Sequence, residues 1–207
     1  MIEMTLRYVA LGDSYTIGIS VERDETWPSR LVATLEAGPD GSPALELVAN
    51  LAANGRTSGD VRRDQLPRLA GFEPGFVSLL IGVNDVVQGV PAGRYRENVA
   101  AILEDLLARL PAGRLLVVTT PDYTRTPAGA RFGDPASQRA RIVEVNALMT
   151  ELATSRGIAI VDIFDLSERV TVDSGLLARD GLHPSGRQYD LWVERIRPVV
   201  DRALGEG

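Results

Sequence analysis

The sequence predicts an α/β fold, a three-layer αβα sandwich built on a five-stranded parallel sheet, and three observations predict it. Five short apolar runs recur along the chain, amphipathic stretches of helical period separate them, and the polar motifs follow the runs on their carboxyl side. Runs without polar alternation suit parallel strands covered on both faces, and strand–helix–strand repeats join through right-handed crossovers.

The strands are expected at residues 6–11, 45–49, 76–81, 114–119 and 158–162. Between the third and fourth, Tyr95, Val99, Ile102, Leu106 and Leu110 fall on one helical face. Ile142, Val145, Met149 and Leu152 do the same before the fifth strand, and Asp134-Pro135 supplies a cap and a first-turn proline for that helix. Ser185 and Gln188 have the spacing of a capping box at the start of the last helix. Trp192, Ile196, Val199 and Ala203 are read as that helix's buried face, with Pro198 expected to kink it. All these stripes are read as core.

The chain has 207 residues, a length suited to a single α/β domain over residues 1–207, and no linker or internal repeat divides it. Its 22 basic and 28 acidic residues give a net charge of -6, which argues against a nucleic-acid or anionic-membrane surface and for a small-molecule substrate. There is no cysteine, so disulfides, thiolate catalysis and Cys-based zinc sites are excluded, and a single histidine argues against any metal site. No window reaches the roughly 20 apolar residues of a membrane span, and no signal segment is visible. A cytoplasmic protein is therefore expected, without integral membrane association, cofactor or metal; oligomeric state is left open.

The one histidine lies in Asp180-Gly181-Leu182-His183-Pro184. An imidazole exchanges a proton near pH about 6.5. Asp180 can accept from one ring nitrogen and leave the other free as a base, the orienter and base of a hydrolytic triad. Three further motifs follow strands one to three: Gly12-Asp13-Ser14, the segment from Asn50 to Gly55, and Gly82-Val83-Asn84-Asp85. All then lie on the carboxyl edge of the sheet, where open α/β sheets bind ligands. Ser14 offers a nucleophilic hydroxyl, while the Ser14 and Gly55 backbone N–H groups and the Asn84 amide offer three donors for an oxyanion. Asp13 and Asp85 are read as loop braces, and Asp162, ending strand five, as the second choice for orienting the histidine.

Taken together, these blocks resemble those of the SGNH hydrolases, the superfamily also called GDSL esterases and lipases. The first block is Gly12-Asp13-Ser14-Tyr15-Thr16-Ile17-Gly18, the second Asn50, Gly55 and Thr57, the third Gly82-Val83-Asn84-Asp85, and the fifth Asp180 to His183. The resemblance runs from the first strand to the last helix. It implies a flavodoxin-like SGNH hydrolase fold, with Ser14, Asp180 and His183 as catalytic triad and Ser14, Gly55 and Asn84 as oxyanion hole. It also implies metal-independent, two-step hydrolysis of a carboxylic ester, whether short-chain acyl, lysophospholipid or acetylated sugar.

The long connection after strand four, residues 120–133, is expected to shape the substrate site. Tyr123 and Phe132 are candidate pocket residues and Arg125 a candidate partner for an anionic group. Two other classes compete with this reading: a nucleotide- or flavin-binding module, which leaves the third and fifth blocks without a role, and a catalytically inactive ligand- or carbohydrate-binding relative.

Overall fold

The computed structural model describes residues 5–35 and 43–205. Five parallel strands form one sheet in the order β2-β1-β3-β4-β5, with β1 Thr5–Gly12, β2 Ala44–Asn50, β3 Phe76–Leu80, β4 Leu115–Val118 and β5 Ala159–Val161. This is the flavodoxin-like order. The strands match the expected runs to within a few residues. Residues 112–114 form a 3-10 turn, so β4 starts at Leu115 rather than Arg114.

Position in the sheet explains burial. Every residue of β3 and β4 is buried, as are Tyr8 to Gly12 of β1, because these strands are paired on both edges and covered on both faces. Residues such as Phe76, Leu79 and Ile81, at most 1% exposed, each contribute about 1.5–3 kcal/mol of hydrophobic burial. The edge strand β2 is mostly half-buried.

Eight α-helical segments occur among the described residues. The short ones are α1 Ser14–Ile17, α3 Ser58–Asp60, α4 Val83–Val87 and α7 Phe164–Glu168; the longer ones are α2 Trp27–Thr34, α5 Ala92–Leu107, α6 Pro135–Thr154 and α8 Gly186–Gly205. Helices α2 and α8 pack together, as do α5 and α6, giving a helical layer on each side of the sheet. The expected stripes of α5 and α6 are buried, although α5 ends before Leu110. Asp134 caps α6, accepting from Ser137 N–H at 2.8 Å.

Two expectations for α8 are corrected. The Ser185 hydroxyl donates to the Gly175 carbonyl at 2.8 Å instead of accepting from the helix, so no capping box forms; tying down the preceding loop takes the hydroxyl. The buried face runs through Tyr189, Trp192, Ile196, Val200 and Leu204, which leaves Val199 and Ala203 on its shoulder. Pro198 lies within a continuous helix on the exposed side, away from the packed face.

Candidate active site

The candidate residues are carried by loops leaving β1, β2 and β3 and by the loop that precedes α8. Asp13 follows β1 and caps α1, its Oδ1 accepting from Tyr15 N–H at 3.0 Å, which puts Ser14 at the helix start. Three side chains hold this turn. Gln65, from a π-helical turn over Val61–Gln65, accepts from Gly12 N–H at 2.9 Å and donates to Gly12 C=O at 2.7 Å. Asn50 Nδ2 donates to Thr16 C=O at 2.8 Å, and the Tyr189 hydroxyl of α8 donates to Tyr15 C=O at 2.9 Å. Gly12 itself admits no side chain, since a Cβ there would lie 2.4 Å from the Leu80 carbonyl oxygen.

The His183 loop is built from its own sequence. Asp180 Oδ1 accepts from the backbone N–H of Leu182 at 2.9 Å and of His183 at 3.0 Å, while Oδ2 meets His183 Nδ1 at 2.6 Å. One carboxylate thus fixes both the backbone and the ring of the residue three positions on. Ala178 N–H donates to His183 C=O at 2.8 Å and Ser185 N–H to Leu176 C=O at 2.8 Å, closing the loop at its base. Burial opposes the charge on Asp180, but the His183 ring and backbone, the Leu182 N–H and the Ser20 hydroxyl outweigh it and hold the carboxyl at about 2. An ionised Asp180 accepts only, so the proton of a neutral His183 resides on Nδ1 and Nε2 is the basic nitrogen. The imidazole is buried, with the Tyr15 ring 5.2 Å away between centroids.

Asn84 heads α4. Its Nδ2 donates to Arg56 C=O at 3.0 Å and approaches Asp13 Oδ2 at 3.5 Å, which fixes the amide and links the third block to the first two. Asp85 braces the same loops, accepting from Ser58 N–H at 2.8 Å and Ser58 Oγ at 2.6 Å; Asn98 backs Ser58 at 3.0 Å. Gly55 sits in an exposed turn at φ 76°, held through its carbonyl by Gln88 Nε2 at 2.9 Å. Among the described residues, neither the Ser14 nor the Gly55 backbone N–H has a backbone partner, so both are free to receive an oxygen.

Ser14, Asn84 and His183 line one cavity of about 100 Å³, together with Tyr123 and Phe132. Ser14 and His183 share its wall without a direct side-chain hydrogen bond among the described contacts. Of the expected residues, Gly55, Asp180 and Arg125 do not line this cavity. The Arg125 guanidinium is about half exposed, with Nε 3.8 Å from the buried carboxylate of Asp122. Asp162 is occupied elsewhere, accepting from Thr119 Oγ1 at 2.8 Å and Phe164 N–H at 2.9 Å, so the histidine partner is Asp180. Two contributors escaped sequence reasoning: Gln65, and Ser20, whose hydroxyl donates to Asp180 Oδ2 at 2.8 Å from a left-handed backbone at φ 69°. Neither stands in a recognisable motif; only the folded chain brings them to their partners.

A five-stranded parallel sheet in flavodoxin-like order, with Ser14, Asn84 and the aspartate-paired His183 at its carboxyl edge, is the α/β fold of the GDSL/SGNH hydrolases. The chain belongs to the GDSL-like Lipase/Acylhydrolase family, whose model matches residues 10–191. Its fold is similar to that of a G-D-S-L lipolytic protein from Veillonella parvula (TM-score 0.75, 17% identity, 95% of this chain and 98% of that one). It is also similar to TesA (TM-score 0.72, 22% identity, 96% and 99%). A third likeness is to an acetylxylan esterase from Geobacillus stearothermophilus (TM-score 0.72, 17% identity, 96% and 95%). Comparison with curated protein sequences finds no significant match. No helix among the described residues is long and apolar enough to cross a membrane.

Proposed function

We propose that the protein is a serine esterase that hydrolyses carboxylic esters through an acyl-enzyme on Ser14. The observation that carries this reading is the 2.6 Å contact between His183 Nδ1 and an ionised Asp180, on a ring that shares a cavity with Ser14 and Asn84. In the first step Ser14 Oγ attacks the acyl carbon while Nε2 of His183 takes its proton, a transfer that needs the two side chains to close up around bound substrate. In this scheme the oxyanion receives the Ser14 and Gly55 N–H groups and the Asn84 amide, which gives up its contact with Asp13 or Arg56 to donate. His183 then passes its proton to the departing alcohol. Water, deprotonated by the same ring, attacks the acyl carbon, and the acid leaves as the proton returns to Ser14. Asp180 stabilises the imidazolium without taking its proton.

Ser14→Ala and His183→Ala should each lower kcat on a short p-nitrophenyl ester by about a thousandfold or more with the fold intact. A fluorophosphonate should label the wild-type protein on Ser14. Retention of most activity by either variant overturns this mechanism. A folded wild-type protein that neither turns over esters nor takes the label is instead the inactive binding relative.

A further inference from the structure

We propose that the cavity at Ser14 is an acyl pocket in which the Tyr123–Phe132 pair of its wall restricts the enzyme to short uncharged acyl groups, with Phe132 as the chain-length determinant. The proposal rests on the esterase reading above and names the substrate class of that site.

Size is the first observation. The cavity measures about 100 Å³. A dry protein cavity of roughly 150 Å³ holds a benzene molecule, so this one accommodates a chain of about four carbons. Larger hollows of about 670 and 770 Å³ lie at the amino ends of β4 and β5 and beside the edge strand β2; neither includes Ser14 or His183, and neither extends the pocket.

Chemistry is the second. Val83, Val87, Leu182, Tyr15, Tyr123 and Phe132 supply apolar wall, and no Asp, Glu, Lys or Arg lines it. With no arginine or lysine on the wall, a carboxylate-bearing acyl group finds no partner there and must shed its hydration.

Stiffness is the third. Phe132 meets Tyr123 edge to face, with centroids 5.6 Å apart, and the Tyr123 hydroxyl donates to Gln138 Oε1 of α6 at 2.7 Å. The Tyr123 carbonyl accepts from both Thr126 N–H at 3.0 Å and Thr126 Oγ1 at 2.8 Å. Gly129 packs so close that a Cβ there would stand 2.3 Å from that carbonyl oxygen. Just before Tyr123, the buried carboxylate of Asp122 pairs with Arg139 of α6. A longer acyl chain has to break these contacts to displace Tyr123. Phe132 lacks any comparable polar anchor and is only half-buried, so truncating it widens the pocket at that side.

The test is kcat/KM for p-nitrophenyl acetate, butyrate, hexanoate and octanoate with wild type, Phe132→Ala and the milder Phe132→Leu, using Ser14→Ala as blank. Wild type should lose roughly tenfold or more between butyrate and hexanoate, as expected when a pocket rejects added methylenes. In Phe132→Ala the hexanoate-to-butyrate ratio should rise at least about fivefold, with Phe132→Leu between the two. The wild-type profile is decisive even if a variant misfolds. A profile that is flat or rises from butyrate to octanoate overturns the acyl limit alone, since ester turnover then stands. An unchanged ratio in a folded Phe132 variant removes Phe132 as the determinant. Absence of turnover and of fluorophosphonate labelling overturns the esterase reading and the pocket with it.

Discussion

Asp180 shows why the spacing Asp-x-x-His works at the level of single atoms. Its two oxygens receive four donors: two successive backbone N–H groups on Oδ1, and the His183 ring and Ser20 hydroxyl on Oδ2. A shorter or longer spacing would separate the backbone anchor from the ring contact. Ser20 shares an oxygen with the ring, so it tunes how strongly the carboxylate supports a charged imidazole. Removing its hydroxyl takes one of the four donors that hold Asp180 against the ring, and Ser20→Ala should lower kcat on a p-nitrophenyl ester by about threefold or more. Ser20→Gly should lower it equally while unfolding at no lower denaturant concentration, because glycine relieves the left-handed backbone. An unchanged kcat in both variants would make Ser20 merely structural. The Asp180–His183 partnership was legible in the sequence because it is local. Ser20 was not, because its partner lies 160 positions away.

At the scale of elements, the site depends on how rigidly each loop is held where it leaves its strand. Gln65 clamps Gly12 two residues before Ser14, so the π-helical turn carrying it sets the position of Ser14 without touching it. Gln65→Ala leaves the buried Gly12 N–H unpaired and opens a void, a combined cost of about 2–3 kcal/mol. Urea unfolding should register that loss, and kcat should fall more than KM rises because Ser14 loses its register. Stability or kcat equal to wild type would deny Gln65 this role. The strands and the major helices could be placed from apolar periodicity. The end of α8's buried face could not, because Val199 and Val200 are equally apolar and packing against the neighbouring elements chose between them. The Ser185–Gln188 box failed for a related reason: a hydroxyl takes the best acceptor in three dimensions, here Gly175, and sequence spacing lists only the local ones.

Over the whole molecule, Asp13 couples stability to pH. It is fully buried beside the central strand, and burial pushes its carboxyl up to about 7, with the charge of Asp85 adding and the Tyr15 N–H opposing. A carboxyl raised on folding binds its proton more tightly in the native state. Its stabilising contribution is complete below about pH 4, declines as pH rises, and is gone above about pH 7. Asp180 has the opposite sign, since its lowered value favours the fold above about pH 4 and loses that effect only as pH falls toward about 2. Asp13→Asn keeps an acceptor for the Tyr15 N–H and removes the titration. Relative to wild type it should gain on the order of 2 kcal/mol between pH 5 and pH 8 in urea unfolding. A constant difference across that range would show that Asp13 does not titrate there in the folded protein.

By itself the sequence determined the sheet of parallel strands, the edge on which the polar blocks gather, and the residues proposed as nucleophile, base, orienter and oxyanion donors. Those features rest on short-range periodicity, on turn chemistry and on the composition of a chain with one histidine. Tertiary structure decided which long-range partners brace them and which residues face the cavity. It set Arg125 beside Asp122 and off the cavity, and left Tyr123 and Phe132 on the wall, although all three share one loop. The physical reason is that a loop side chain's direction follows from what packs against it, a buried carboxylate in one case and the α6 glutamine in the other, and those neighbours come from distant parts of the chain.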